Sequence, residues 1–252
     1  VVSNIKRPPS QTARLIGAAH GVWSNLWFVS LALVALAGVV VLPRLHWRRH
    51  CTRFFSRVFF AGTGMRVKVE GLHHLPAGTC VVVANHASYL DGPLMHAALP
   101  AHFAFVIKGE MARVPLAGFL LRRIGSEFVE RQNRHRGGRD TQRILGKAAE
   151  GQALGVFPEG TFFAPPGLQK FQSGAFLAAA RAGLPIVPAV IRGTREALDA
   201  DSWLPAPARI TVELLPPLPP PANEKPAIVA AREAARAAIL ARLGEPDATA
   251  GE

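Results

Sequence analysis

The stretch from Val83 to Asp91, VANHASYLD, places a histidine and an aspartate where they could act together. The β-branched run Val81, Val82 and Val83 predicts a buried strand that ends at Asn85 and His86. Asp91 follows five residues after the histidine, ahead of Gly92 and Pro93. Five residues along a continuous helix turn through about 500°, which would point the two side chains apart. They meet if His86 sits in a turn and Asp91 caps the next helix, which Asp close to Pro suits. A histidine held by a carboxylate is a general base. A structural hydrogen bond is the bland use of such a pair, and the spacing alone does not separate the two.

Other chemistries lack their residues. There is no G-x-S-x-G, so a serine-hydrolase elbow is not supported. Neither a Walker loop nor a GxGxxG occurs; Gly62-Thr63-Gly64 lacks the rest. His73 and His74 are adjacent and no HExxH occurs, so no metal site is expected. Ser88 reads as a turn residue. A base without an enzyme nucleophile beside it implies that the substrate brings its own hydroxyl.

Elements that could position this pair recur from Met65 onward. Apolar, β-branched stretches at Thr79–Ala84, Phe103–Ile107, Glu127–Val129, Leu154–Phe157, Ile186–Ile191 and Arg209–Leu214 predict strands. Helical stretches at Asp91–Ala98, Asp140–Glu150 and Ser173–Arg181 separate most of them, the last with Ser173 as cap and Gly183 as stop. The alternation predicts an α/β fold, a largely parallel sheet flanked by helices. The Pro-rich Pro216–Pro221 closes the domain, and Lys225–Leu243 predicts an Ala-rich helix stopped by Gly244. On this reading Asn85-His86, Lys108, Arg131, Glu159 and Arg192 each follow the C-terminal end of a strand, the edge where open α/β sheets bind ligands.

The N-terminal part has a different character. Residues 1–21 are polar, and Val22–Leu42 carries no charge, contains Trp23 and Trp27, and stops at Pro43-Arg44. Its length suits a membrane-embedded helix, spanning or dipping into one leaflet. A signal peptide around Ala35-Leu36-Ala37 and a buried core helix are the alternatives. Within residues 43–64, Trp47, Cys51, Phe54, Phe55 and Val58 share one helical face, with Arg49, Arg53 and Arg57 opposite. That pattern predicts an interfacial amphipathic helix, aromatics down and arginines at headgroups. Packing on its own domain is the alternative. More arginines follow the apolar run than precede it, so if the run spans, the main domain is cytoplasmic.

Composition agrees with a membrane partner. The 252 residues are 49% hydrophobic with a net charge of +12, and the mean hydropathy is +0.19 with a pI near 11.1. Anionic partners are expected. Cys51 and Cys80 allow no disulfide framework. The charge alone would also permit a catalytically inactive basic membrane-bound interaction protein, even a nucleic-acid binder. Arginines concentrated beside the apolar run and the intact His86 with Asp91 argue against both.

A second stretch, Phe157-Pro158-Glu159-Gly160-Thr161, follows the Leu154–Phe157 strand. Together with Asn85-His86 and Asp91 it resembles the glycerolipid acyltransferase family, 1-acylglycerol-3-phosphate acyltransferase being its best-known member. The resemblance runs from about Gly71 to Pro217, through Gly125, Phe128 and Arg131, then Lys170-Phe171, Gly174-Ala175 and Pro185–Pro188. It implies acyl transfer from a thioester donor, acyl-CoA or acyl carrier protein, to a lysophospholipid hydroxyl, most readily 1-acyl-sn-glycerol-3-phosphate. It implies no cofactor, no metal and no nucleic-acid partner. His86 would be the base and Asp91 would orient it. Arg131 would grip the acceptor phosphate, Glu159, Gly160 and Thr161 would complete the acceptor pocket, and Lys108 and Lys170 would add positive charge. Asn85 would support the turn at the edge of that pocket. One departure bears on the acceptor: Phe162 stands where the family commonly continues with Arg. Lys170, Arg192, Arg195 or the loop Arg134–Arg139 could substitute, and another acceptor, such as lyso-ornithine lipid, is the alternative. The implied order of units is a polar segment to residue 21, a membrane helix over 22–42, an interfacial helix over 43–64, an acyltransferase domain over 65–221 and a C-terminal helix with tail over 222–252.

Overall fold

The computed structural model describes residues 11–129, 143–144 and 146–250. Seven strands form one sheet: β1 (Arg66–Glu70), β2 (Val81–Ala84), β3 (Ala104–Lys108), β4 (Glu127–Val129), β5 (Leu154–Val156), β6 (Ile186–Arg192) and β7 (Arg209–Leu214). Their order is β1-β7-β6-β2-β5-β3-β4. The five strands β6, β2, β5, β3 and β4 are mutually parallel, while β7 runs antiparallel to β6 and carries β1 parallel to itself. The largely parallel α/β sheet read from the sequence is therefore present. β1 was absent from the expected strands, although Val67 and Val69 alternate with charged residues as an edge strand requires.

β2 lies in the middle of the parallel group. All of Val81–Ala84 is buried, and the period-two alternation of a strand sends successive side chains to opposite faces. Val82 and Ala84 join a core with Phe59, Phe60, Leu94 and Met95. Val81 and Val83 join a second core with Phe171, Phe176 and Ile239. The first face is covered by α1 (Gln11–Val41), α2 (Leu45–Gly62) and α3 (Asp91–Ala98). The second is covered by α5 (Gly174–Ala182) and α7 (Lys225–Leu243), with helical residues at 143, 144 and 146–149. Among the described residues there are also two shorter α-helices, α4 (Ala117–Arg123) and α6 (Thr194–Ala197). Ser173 takes the N-cap position of α5 without bonding its backbone; its hydroxyl accepts from Arg232. Gly183 stops the helix at φ +61°, a conformation that favours glycine.

α1 begins well before the apolar run, at Gln11, and its residues 14–41 are long and apolar enough to cross a membrane. Both halves of it touch the α/β domain. The His20 ring lies 2.9 Å from Thr63 O and 3.1 Å from Pro205 O, and Arg123 Nη2 donates to Val39 O and Val40 O. Those contacts are about 30 Å apart along the helix, one hydrocarbon thickness. Val22, Leu26, Val29, Leu33 and Val40 stay exposed along one stripe.

α2 does not divide as expected: Arg49 turns inward, and Phe55 and Val58 from the other face pack on the core as well. Arg49 is buried and donates to Ile124 O, His102 O and Gly125 O, and Arg57 donates to Ala97 O. These side chains satisfy backbone carbonyls of the domain rather than reaching headgroups. Trp47 and Phe54 remain exposed.

Candidate active site

His86 leaves the end of β2 into a turn that Asp91 closes. Asp91 Oδ2 accepts from His86 Nδ1 at 2.8 Å, Ala87 N at 2.6 Å and Ser88 N at 2.9 Å. The aspartate was expected to cap α3; instead it is the first residue of that helix and reaches backward over the turn. A carboxylate accepting three N–H groups from one tight turn has its geometry fixed by neighbours within five residues. Ser88 Oγ donates to Leu198 O and accepts from Leu90 N, a turn role as read from the sequence. With Nδ1 facing a carboxylate, the network assigns the ring proton there and leaves Nε2 as the acceptor. Asp91 is fully buried, whereas 18% of the His86 side-chain surface stays exposed.

Asn85, expected to support the turn at the edge of the acceptor pocket, does so through a neighbouring strand. Its Nδ2 donates to Ile191 O at 2.9 Å and its Oδ1 accepts from Ile191 N at 2.7 Å. Both polar ends of the buried amide tie the end of β2 to β6. The resulting clamp fixes the position from which the histidine turn springs.

Glu159 lies at the end of β5, the strand beside β2, so the FPEGT stretch and the histidine turn meet on one sheet edge. Its carboxylate is buried against the histidine turn. Oε1 accepts from His86 N at 2.6 Å and Oε2 from Gln169 N at 2.8 Å. Burial pushes this carboxyl up to about 7, although the two backbone N–H groups favour its charged form and draw it down. Glu159 thus orients protein backbone. Gly160 sits at φ +86° and its N–H donates to Phe157 O, which makes it the turn glycine of the stretch. Thr161 and Lys170 are exposed on the loop that follows.

That loop is held from far along the chain. Arg236 on α7 donates to Leu168 O and Gln169 O and pairs with Asp247. Arg195 donates to Phe163 O and Ala164 O and pairs with Glu245, which also accepts from Gly167 N. None of Gln169, Arg236, Glu245 or Asp247 was picked out beforehand as a site residue. Gln169 acts through its backbone N–H, which carries no sequence signal, and the others lie outside the motif stretches.

Of the cations proposed to stand in for the missing arginine, Arg195 is committed to this clamp. Arg192 pairs with Glu213 and donates to Arg242 O, turning toward β7 and α7. Lys108 ends β3 but its ammonium pairs with Glu110 in solvent. Arg131 and the loop Arg134–Arg139 lie outside the described residues. What does face His86 is aromatic. Phe157 stacks on its ring with centroids 4.4 Å apart, and Phe162 meets it edge-on at 4.8 Å. Among the described residues no cluster of His, Cys, Asp and Glu could hold a metal.

Residues 66–192 match the protein family described as Acyltransferase. The chain is 33% identical to lyso-ornithine lipid O-acyltransferase of Pseudomonas aeruginosa over 74% of this chain and 69% of that protein. It is 31% identical to a 1-acyl-sn-glycerol-3-phosphate acyltransferase of Chlamydomonas reinhardtii over 91% of this chain and 72% of that protein. Its fold resembles the crystal structure of the 1-acyl-sn-glycerophosphate (LPA) acyltransferase PlsC from Thermotoga maritima. The TM-score is 0.72 at 22% identity, covering 90% of this chain and 98% of that one.

Proposed function

This chain belongs to the acyltransferase family, and from that membership we propose that it moves a fatty acyl group from acyl-CoA or acyl carrier protein to the free hydroxyl of a lysolipid. The observation that carries the mechanism is the 2.8 Å contact of His86 Nδ1 with a carboxylate that Ala87 N and Ser88 N also hold. His86 Nε2 takes the hydroxyl proton while the hydroxyl oxygen attacks the thioester carbonyl. The tetrahedral adduct collapses with cleavage of the C–S bond, and the imidazolium returns the proton to the departing thiolate. No acyl-enzyme forms. Glu159 contributes by holding the His86 backbone, and Arg131 grips the acceptor phosphate, a task that guanidinium geometry suits. Thr161 and Lys170 line the acceptor side from the exposed loop.

The first acceptor reading is 1-acyl-sn-glycerol-3-phosphate, giving phosphatidic acid. A second is favoured by one observation: the residue after Thr161 presents an aromatic ring to His86 where the family commonly has a cation. A lysolipid whose headgroup puts no phosphate there, as with the acceptor named for the Pseudomonas relative, would suit that ring. The apolar stripe of α1 and the exposed aromatics of α2 support membrane association. Because both halves of α1 rest on one domain, α1 lies in the plane of one leaflet; were it instead to span, its flanking arginines would put the catalytic domain on the cytoplasmic face.

The test is an assay of purified protein with both acceptors and both kinds of donor. Acyl transfer to one acceptor is expected, and His86→Ala should lower it by ~10²–10⁴-fold, the usual share of a positioned base. Undiminished turnover in that variant would remove His86 from the mechanism.

A further inference from the structure

Trp203 exposes 81% of its surface, more than any other large apolar residue described, and Tyr89 beside it exposes 58%. The two rings stack with centroids 6.2 Å apart, and Tyr89 meets Phe162 edge-on at 4.7 Å. Phe162 in turn touches His86. A continuous aromatic row thus leads from solvent to the base.

The backbone carrying Trp203 is fixed. Asn25 Nδ2 on α1 donates to Trp203 O at 2.7 Å, the His20 ring meets Pro205 O, and Ala206 N donates to Ala197 O. A Cβ on Gly21 would come within 2.6 Å of Leu204 Cβ, so α1 and this loop are packed backbone to side chain. The exposed indole is therefore displayed by an anchored loop, directly beside the exposed apolar stripe of α1. Tryptophan and tyrosine, apolar in body with one polar group, favour the level of lipid headgroups. Asp199 and Asp201, both exposed, precede the indole in the same loop and keep its base in water.

We propose that Trp203 inserts into the lipid leaflet on which α1 lies, and that the row Trp203–Tyr89–Phe162 is the path by which a lipid acceptor leaves that leaflet for His86. The partner is the apolar upper layer of a phospholipid leaflet rather than its charge, because the acidic residues flanking Trp203 gain nothing from anionic headgroups. The path rests on the acyl-transfer reading; the insertion does not.

The full chain on phosphatidylcholine vesicles brominated at the headgroup end of one acyl chain tests insertion without turnover. The emission lost on Trp203→Phe, which is that of Trp203 itself, should be smaller on these vesicles than on unbrominated ones. An equal loss on both would overturn the insertion, whatever the activity. Turnover then tests the path. Trp203→Ala should lower turnover of a bilayer-embedded lysolipid about ten-fold relative to the same headgroup on a short, monomeric chain, as loss of ~1.4 kcal/mol of aromatic burial gives. Equal losses on both substrates would place Trp203 in the reaction pocket and overturn the path.

Discussion

The two stretches that meet at His86 are held in opposite ways. Asn85–Asp91 is wired mainly to itself: one carboxylate oxygen gathers three N–H groups from the preceding turn. Its long-range ties are the Asn85 clamp to Ile191, the Ser88 hydroxyl to Leu198 O and the His86 N–H to Glu159 Oε1. The loop from Glu159 to Gln169 owes its shape to residues 195, 236, 245 and 247. A local knot forms as soon as its own few residues turn correctly. A loop tied from the far end of the chain is only as firm as the packing of the last helix. The catalytic pair thus has a short-range scaffold, and the wall facing it has a long-range one.

Breaking the local knot should have the largest effect. Asp91→Asn keeps the shape, and its amide oxygen can still accept from the turn, but it removes the negative charge beside the imidazolium and should cut activity by ~10²–10⁴-fold through the weakened base. A loss below ten-fold would mean that the turn orients His86 without its carboxylate. Removing the remote tie comes next. Arg236→Ala should lower kcat by roughly ten-fold, since ångström-scale misplacement of catalytic groups is costly, and should raise proteolytic cleavage within residues 160–170. Unchanged kcat with an intact loop would erase the contrast between the two stretches.

The junction between them, Glu159, gives a pH signature of intermediate size. Its value near 7 in the folded protein stands above the ordinary 4.5. Between those values the native state keeps a proton that the unfolded chain has lost, so its contribution to stability falls as pH rises through that window. Denaturation midpoints measured across it should therefore decline less steeply for Glu159→Gln than for the wild type. Parallel profiles would show that burial does not raise this carboxyl. The smallest effect is expected outside both stretches: Lys108→Ala removes an exposed ion pair, worth about 0–1 kcal/mol, and should change turnover less than about two-fold. A ten-fold rise in KM for the acceptor would return Lys108 to the binding site.

Legibility followed the same division. The β-branched run before Asn85, the five-residue step to Asp91 and the helix starting there were readable because each depends on neighbours in sequence. The direction in which Asp91 reaches was not, since capping forward and closing backward use the same residue at the same place. β1 was missed because its five residues alternate with charges and pair only with β7, whose chain lies far downstream.

α2 shows where pattern stops. Its sequence separates an aromatic face from an arginine face, but the fold brings Arg49 from one and Phe55 and Val58 from the other against the domain. That Arg49 meets protein depended on carbonyls at His102, Ile124 and Gly125 that only folding brings to it. The sequence by itself determined the α/β alternation, the apolar N-terminal helix and the histidine–aspartate pair, because periodicity and short spacings are properties of neighbouring residues. The tertiary structure decided that Asn85 is a strand clamp, that Arg192 and Arg195 are committed elsewhere, and that Phe162 with Tyr89 and Trp203 leads from the surface to the base. Those outcomes depend on hydrogen-bond partners and ring contacts dozens of residues apart, which no local spacing encodes.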